Sequence, residues 1–253
     1  MSSSPILQSE NNGIVTLEFN RPEKMNALNV AMYVELKEAL ERAAKQNAIA
    51  AVLLQGSGGN FSSGNDLADF ASQDTEKFGK AVLSFLDTLA QFPKPIVAKV
   101  QGYAVGIGTT MLLHCDFAYA TKDAQFGLPF VKLGLVPEAA SSYLLPLLAG
   151  HRKASELLLL AQGFGSDEAK EMGILNAVGN EQAMDSAVEQ TLALLRSLPR
   201  EAVLESKRLL KLPFQKQIQD QIKHEAQAFM LGLRSAATQQ AIAAFFEKSK
   251  TNA

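Results

Sequence analysis

The stretch GLVPEAASSYLLP, residues 134–146, holds one carboxylate, Glu138, among Leu135, Val136, Pro137, Ala139 and Ala140. A buried carboxylate without a partner is costly or takes up a proton. A carboxylate in a dry site is also what a general base with a raised pKa requires. A plainer role is open to it as well. Pro137 suits the first position of a helix, and an acidic neighbour is favoured by the helix dipole. Two glycine loops could supply the complementary groups: SSGND, residues 62–66, and GYAVGIG, residues 102–108. Glycines let a backbone approach a ligand closely and turn its N–H groups outward. Two such loops side by side would offer two donors to one oxygen, the geometry of an oxyanion hole. On spacing alone, both read first as tight strand-to-helix turns.

Other chemistries find little support. GIGTTM, residues 106–111, begins as G-x-G but lacks the third small residue of a dinucleotide fingerprint, and no acidic strand end follows at the needed distance. There is no G-x-S-x-G elbow. His114, His151 and His224 share no ligand spacing, so no metal is expected. His114, set among Leu112, Leu113 and Cys115, is expected to be a core histidine with a hydrogen-bond partner. Cys115 is the single cysteine, which excludes an internal disulfide and is expected to be a small core residue. A net charge of −2 gives no global field for nucleic acid or anionic membrane. The first residues, MSSSPILQSENNG, show no secretory pattern, and KSKTNA is not a peroxisomal tripeptide, so a cytoplasmic location is expected.

The elements that must position these residues follow from apolar periodicity. With 253 residues, the chain suffices for one large domain or one domain with a small appendage. Strands are predicted at 13–20, 49–58 and 94–102, with two short ones within 116–127. Between them, residues 30–46 carry Met32, Leu36, Leu40 and Ala43 at helical spacing, and residues 75–91 carry Phe78, Val82, Phe85 and Leu89. Alternating strands and helices predict an α/β fold with parallel sheets. From about residue 150 the pattern turns helical, at 152–162, 181–197, 200–211, 215–231 and 234–249. Ser166 is a candidate N-cap, and Ala237, Ile242 and Phe245 form one stripe in the last helix.

The segments NRPEKMNALN, FSSGNDL, KPIVAKVQGYAVGIG, CDFAYATKDAQFGLPFVKLGLVPEAASSYLLP and SDEAKEMGILNAV stand in the order found in the enoyl-CoA hydratase/isomerase (crotonase) family. The chain resembles that family from about residue 5 to 250. The resemblance implies a crotonase-like spiral of ββα units over residues 1–195, with a C-terminal helical trimerisation region over 196–253. It implies an acyl-CoA substrate, no cofactor beyond the CoA moiety of that substrate, no nucleic-acid or membrane partner, and a homotrimer or dimer of trimers. By the same resemblance the backbone N–H groups of Asn65 and Ile107 form the oxyanion hole. Ser62, Ser63, Gly64, Asp66 and Leu67 would line the adenine and pantetheine path, and Lys24, Ala27 and Leu28 would lie along the nucleotide, with Lys24 a phosphate contact. Phe130, Leu135 and Val136 would hold the acyl chain, and Gly106, Gly108 and Thr110 would also touch the substrate. Lys248 or Lys250 would reach a neighbouring subunit's CoA.

The departures from the family pattern carry information too. A typical hydratase has one glutamate just after the second glycine loop and another after the FG-x-P turn; this chain has Thr110 and Phe130 there. Hydration needs a water activated by such groups. In the peroxisomal-type Δ3,Δ2-enoyl-CoA isomerase branch, the catalytic glutamate sits in a segment similar to PEAASSYLLP, which points to Glu138. The resemblance thus implies an isomerase in unsaturated fatty-acid degradation. Alternatives are another crotonase chemistry on a specialised acyl-CoA, hydration included, or an acyl-CoA-binding module without activity.

Overall fold

The computed structural model describes residues 4–70 and 75–251. The strands are β1 (Ile6–Asn11), β2 (Ile14–Phe19), β3 (Ala51–Gly56), β4 (Ile96–Val100), β5 (Tyr103–Val105), β6 (Phe117–Thr121), β7 (Gln125–Gly127), β8 (Phe164–Gly165) and β9 (Ala177–Gly179). The helices are α1 (Val30–Lys45), α2 (Leu67–Phe70), α3 (Thr75–Gln91), α4 (Ile107–Thr110), α5 (Ser141–Ala149), α6 (His151–Leu159), α7 (Ser166–Glu171), α8 (Glu181–Ser197), α9 (Arg200–Lys211), α10 (Gln215–Leu233) and α11 (Ala236–Thr251). No helix among the described residues is long and apolar enough to cross a membrane.

The expected α/β class holds. One sheet runs β1-β2-β3-β4-β6-β9, antiparallel only between β1 and β2, and a second runs β5-β7-β8. From β4 to β7 the chain alternates between the sheets: β4 pairs parallel with β6, while β5 and β7, which follow them, pair parallel in the other sheet. Each turn therefore lays one strand on each sheet, which is a spiral. The main sheet is apolar on both faces, as a covered parallel sheet must be. Val52, Leu54, Ile96 and Ala98 share a core with Met32 and Leu36 of α1 and Phe78 and Phe85 of α3. Ile14, Leu53, Val97 and Tyr119, at alternate positions, pack against Met184, Val188 and Leu192 of α8.

Several expectations need correction. β1 has no counterpart among the predicted strands, because five of its six residues are exposed and leave no alternating signal. Ser166 is the first residue of α7 and not its cap; its Oγ donates to Lys122 O at 2.8 Å. In α11 Ile242 is buried as expected, but Ala237 is exposed and Thr238 is buried instead, bonding Gly134 O at 3.0 Å. The side chains of Phe245, Lys248 and Lys250 lie outside the described residues. Beyond residue 196, α10 packs along α3 and α5, so part of the helical tail finds its apolar cover within its own chain. Leu209, Leu210, Leu212 and Phe214 remain exposed.

Candidate active site

The two glycine loops occupy equivalent places in successive turns of the spiral, and this brings them together. Ser62 forms a parallel bridge with Ala104 of β5: Ser62 N–H donates to Tyr103 O and Val105 N–H to Ser62 O, each at 2.9 Å. On its other side the first loop bridges Leu28, whose N–H donates to Gly64 O and whose carbonyl accepts from Asp66 N–H, both at 2.8 Å. In that register the N–H of Asn65 points away from Leu28. The approach requires glycine twice. Gly64 has φ +101, and a Cβ there would lie 3.0 Å from Val105 O; a Cβ on Gly108 would lie 2.7 Å from Ser62 O. Gly106, at φ 56 and ψ −120, turns the chain into α4. Ile107 opens that helix, so its N–H has no acceptor within it.

The neighbouring polar residues mostly hold the loops in place. Ser62 Oγ donates to Asn26 O at 2.9 Å and accepts from Gly64 N–H at 3.1 Å. Ser63 N–H donates to Met25 O at 2.9 Å, and its Oγ to Lys24 O at 3.2 Å. Asp66 is paired with Arg21 at 3.0 Å, and Arg21 also donates to Ala27 O at 2.7 Å. Arg21 was absent from the expected set. Ala27 and Leu28 are buried, Lys24 is exposed, and Leu67 begins α2.

Glu138 is not in a helix start. α5 begins three residues later, and Glu138 lies in the turn before it, 5 % exposed. Its Oε2 accepts from Asn65 Nδ2 at 3.4 Å, while its buried Oε1 has no hydrogen-bond partner among the described residues. Burial pushes its pKa up to about 8; the Asn65 hydrogen bond opposes the shift and the charge of Glu225 adds to it. Tyr33 of α1 fixes the amide of Asn65. Burial first, then the charges of Glu138 and Asp69, hold the Tyr33 phenol well above its ordinary range. The phenol therefore stays protonated and donates to Asn65 Oδ1, which turns Nδ2 toward Glu138. Tyr33 falls on the buried stripe of α1 and carries no sequence signal beyond that of a core residue.

The turn after Glu138 is strained and doubly held. Ala139 and Ala140 both have left-handed backbones, φ 60 and φ 55, a conformation costing about 1–2 kcal/mol for a residue with a Cβ. His114, as expected a buried core histidine, lies with Nε2 2.7 Å from Ala139 O; burial pushes its pKa down to about 4, so the neutral ring donates Nε2–H to the carbonyl. Glu225 of α10 accepts from Ala140 N–H at 2.6 Å and from Ser142 N–H at 3.0 Å, and also bonds the Ser142 hydroxyl. Gln221 Nε2 donates to the same hydroxyl at 2.8 Å. Glu225 sits in the polar run QKQIQDQIKHEAQ, where nothing marks it as buried. Cys115, with a thiol pushed up to about 12 by burial, has no nucleophilic character.

Thr110 is fully buried and its Oγ1 has no partner among the described residues, while Phe130 is buried in a short turn over residues 130–133. Neither supplies a carboxylate. An apolar cavity of about 30 Å³ touches Glu138 and Ala139 and runs between α3 and α10, past Phe78, Val82, Ile222 and Phe229. Phe130, Leu135 and Val136 do not line it. A larger cavity, about 380 Å³, lies beside Phe92 and α9, is lined by charged residues such as Glu201 and Arg208, and contains none of these groups. No cluster of His, Cys, Asp and Glu among the described residues could hold a metal.

Comparison with known proteins agrees with the fold. The family model described as Enoyl-CoA hydratase/isomerase matches residues 9–252. Enoyl-CoA delta isomerase 2 of Rattus norvegicus is 38% identical over 215 residues, covering 83% of this chain and 55% of the rat protein, so the chain spans about half the length of that relative. The 1,2-epoxyphenylacetyl-CoA isomerase of Escherichia coli strain K12 is 31% identical over 250 residues, covering 96% of this chain and 95% of that one. The solved structure of Pseudomonas aeruginosa OdaA is similar with a TM-score of 0.91 at 40% identity, covering 96% of this chain and 99% of the other.

Proposed function

We propose that this chain, which belongs to the enoyl-CoA hydratase/isomerase family, is a Δ3,Δ2-enoyl-CoA isomerase that shifts a double bond with one carboxylate. The observation that carries the reading is Glu138 itself. It is a buried carboxylate with one oxygen unpartnered among the described residues, set beside a loop whose Asn65 N–H is released from the ladder. Hydratases of this family are expected to use two glutamates, and Thr110 and Phe130 stand at those positions.

The chemistry needs one base and one oxyanion site. Glu138 takes a proton from C2 of a 3-enoyl thioester, and the electron pair moves into the carbonyl, giving an enolate conjugated with the C3–C4 double bond. The N–H groups of Asn65 and Ile107 stabilise the oxygen, as pre-oriented donors do where charge develops. The carboxylic acid then delivers its proton to C4, the double bond settles between C2 and C3, and the carboxylate is regenerated. A dry setting suits this shuttle because it raises the basicity of the carboxylate and keeps out exchanging water. A homotrimer or dimer of trimers would cover the leucines left exposed on α9.

A second reading is another reaction of the family on a specialised acyl-CoA. The near full-length match to the Escherichia coli 1,2-epoxyphenylacetyl-CoA isomerase favours it, since one fold hosts many reactions. Product analysis separates the two. Conjugated 2-enoyl thioester from 3-hexenoyl-CoA supports the isomerase. Acyl-CoA binding with no such product would replace it with the second reading.

A further inference from the structure

The cavity beside Glu138 has buried walls and a half-buried seam. Phe78, Val82, Ile222 and Phe229 on its inner walls are buried, whereas Gly79 of α3 and Met230 of α10 lie half-buried at its outer seam. Met230 sits directly on Gly79: a Cβ at position 79 would lie 2.6 Å from Met230 Sδ and 3.1 Å from Cε. The absent side chain of Gly79 is thus the space that the thioether fills. With Met230 in place the cavity measures about 30 Å³, room for about two water molecules. Everything at its outer end is apolar, and the blocking group is the most adaptable apolar side chain, with three rotatable bonds and no branch.

We propose that Met230, seated on Gly79, is the movable stop of the acyl-chain site and sets the chain length beyond which a substrate must displace a side chain. The inference rests on the acyl-CoA reading above. An acyl group reaching Glu138 with its C2 extends away from the thioester, and the α3–α10 seam is the apolar space adjoining that carboxylate. Short chains end inside the cavity. Longer chains enter the seam only when Met230 swings out, and there they exchange its contacts for their own.

The test measures binding of saturated acyl-CoAs, which needs no turnover and so does not depend on which reaction is catalysed. Dissociation constants for free CoA, hexanoyl-CoA and dodecanoyl-CoA are measured by calorimetry on the wild type, Met230→Ala and Gly79→Ala. Met230→Ala is expected to raise the preference for dodecanoyl over hexanoyl by about tenfold, roughly the gain from burying two further methylenes. Gly79→Ala, whose Cβ would take the place of the thioether and unseat it, is expected to move the preference the same way. Combining the two should show coupling, since neighbouring changes are not additive. An unchanged preference in both variants overturns the proposal. Acyl-CoAs that bind no better than free CoA overturn both the stop and the acyl-CoA reading. A shifted preference without conjugated product from 3-hexenoyl-CoA keeps the stop and removes only the isomerase.

Discussion

Asn65 joins the two halves of the proposed chemistry to Glu138: its Nδ2 stands 3.4 Å from Glu138 Oε2, while its backbone N–H is turned away from the Leu28 ladder. In the proposed chemistry one residue would therefore orient the base through its side chain and offer a donor to the oxyanion through its backbone. The hydrogen bond also opposes the effect of burial on the Glu138 pKa. The base is dry enough to be strong but is not wholly unsupported.

The pH dependence follows from that balance. With the Glu138 pKa raised to about 8, kcat/KM, which reports the free enzyme, is expected to rise with pH and level off above about 8. Stability moves the other way. The folded state holds this proton more tightly than the unfolded chain, so the group's contribution is full below its ordinary value near 4.5 and is lost as pH rises through 8. The slope is at most on the order of 1.4 kcal/mol per pH unit. Glu138→Gln should remove it, so that the thermal midpoint of the variant gains on the wild type between pH 5 and 8. Parallel melting curves of the two proteins across that range would contradict the raised pKa.

Tyr33→Phe tests the orientation of Asn65. The substitution removes the donor to Asn65 Oδ1 and frees the amide to turn away from Glu138. A drop in kcat of about tenfold is expected, in the range of a hydrogen bond worth 1–2 kcal/mol. Because the Asn65 bond lowers the Glu138 pKa, the inflection of the pH–rate profile should move upward. A fall in stability with an unmoved inflection would leave Tyr33 a packing residue.

Glu225 admits a graded test. Glu225→Gln keeps the shape and one acceptor but removes the charge that raises the Glu138 pKa. Its pH–rate inflection should move down, opposite to that of Tyr33→Phe. Glu225→Ala removes the acceptor for Ala140 N–H and Ser142 N–H and leaves two left-handed alanines without their clamp. A loss on the order of 3 kcal/mol is expected, since each buried donor left unsatisfied costs about 1–3 kcal/mol. Chemical denaturation measures it; a loss under about 0.5 kcal/mol would show that His114 alone suffices to hold the turn.

Association can be measured directly. Leu210 of α9 is 76% exposed, and Leu209, Leu212 and Phe214 are exposed near it. A surface of this kind favours burial against another subunit. Light scattering is expected to give three times the mass of the chain or a multiple of it, and a monomer at micromolar concentration would contradict the trimer.

Much of this was legible in the sequence where periodicity was strong. The stripes of α1 and α3 named their buried faces because Met32, Leu36, Phe78 and Phe85 repeat at helical spacing over four turns. The glycine loops were legible as loops, and their contact was a conditional expectation that the spiral fulfils through the Ser62–Ala104 bridge. What stayed hidden depends on tertiary context. Pro137 and Glu138 read as a helix start, yet Ala139 and Ala140 adopt left-handed backbones that no local preference of alanine favours. His114 and Glu225, distant in sequence, hold that turn from either side. Tyr33 and Glu225 look like an ordinary core residue and an ordinary solvated one, and what they do rests on what faces them. The apolar cavity that touches Glu138 lies between α3 and α10, and no local pattern marks it, because it depends on how two helices far apart in sequence pack.

The most direct measurement is an assay of the purified protein with 3-hexenoyl-CoA, following the conjugated 2-enoyl thioester by ultraviolet absorbance, with Glu138→Gln run beside it. The wild type is expected to form the conjugated product, and the variant to bind CoA thioesters as before while losing about 10²–10⁴ in kcat, the contribution of a positioned acid–base group. Near wild-type turnover in a folded Glu138→Gln protein would contradict the assignment of Glu138 as the base.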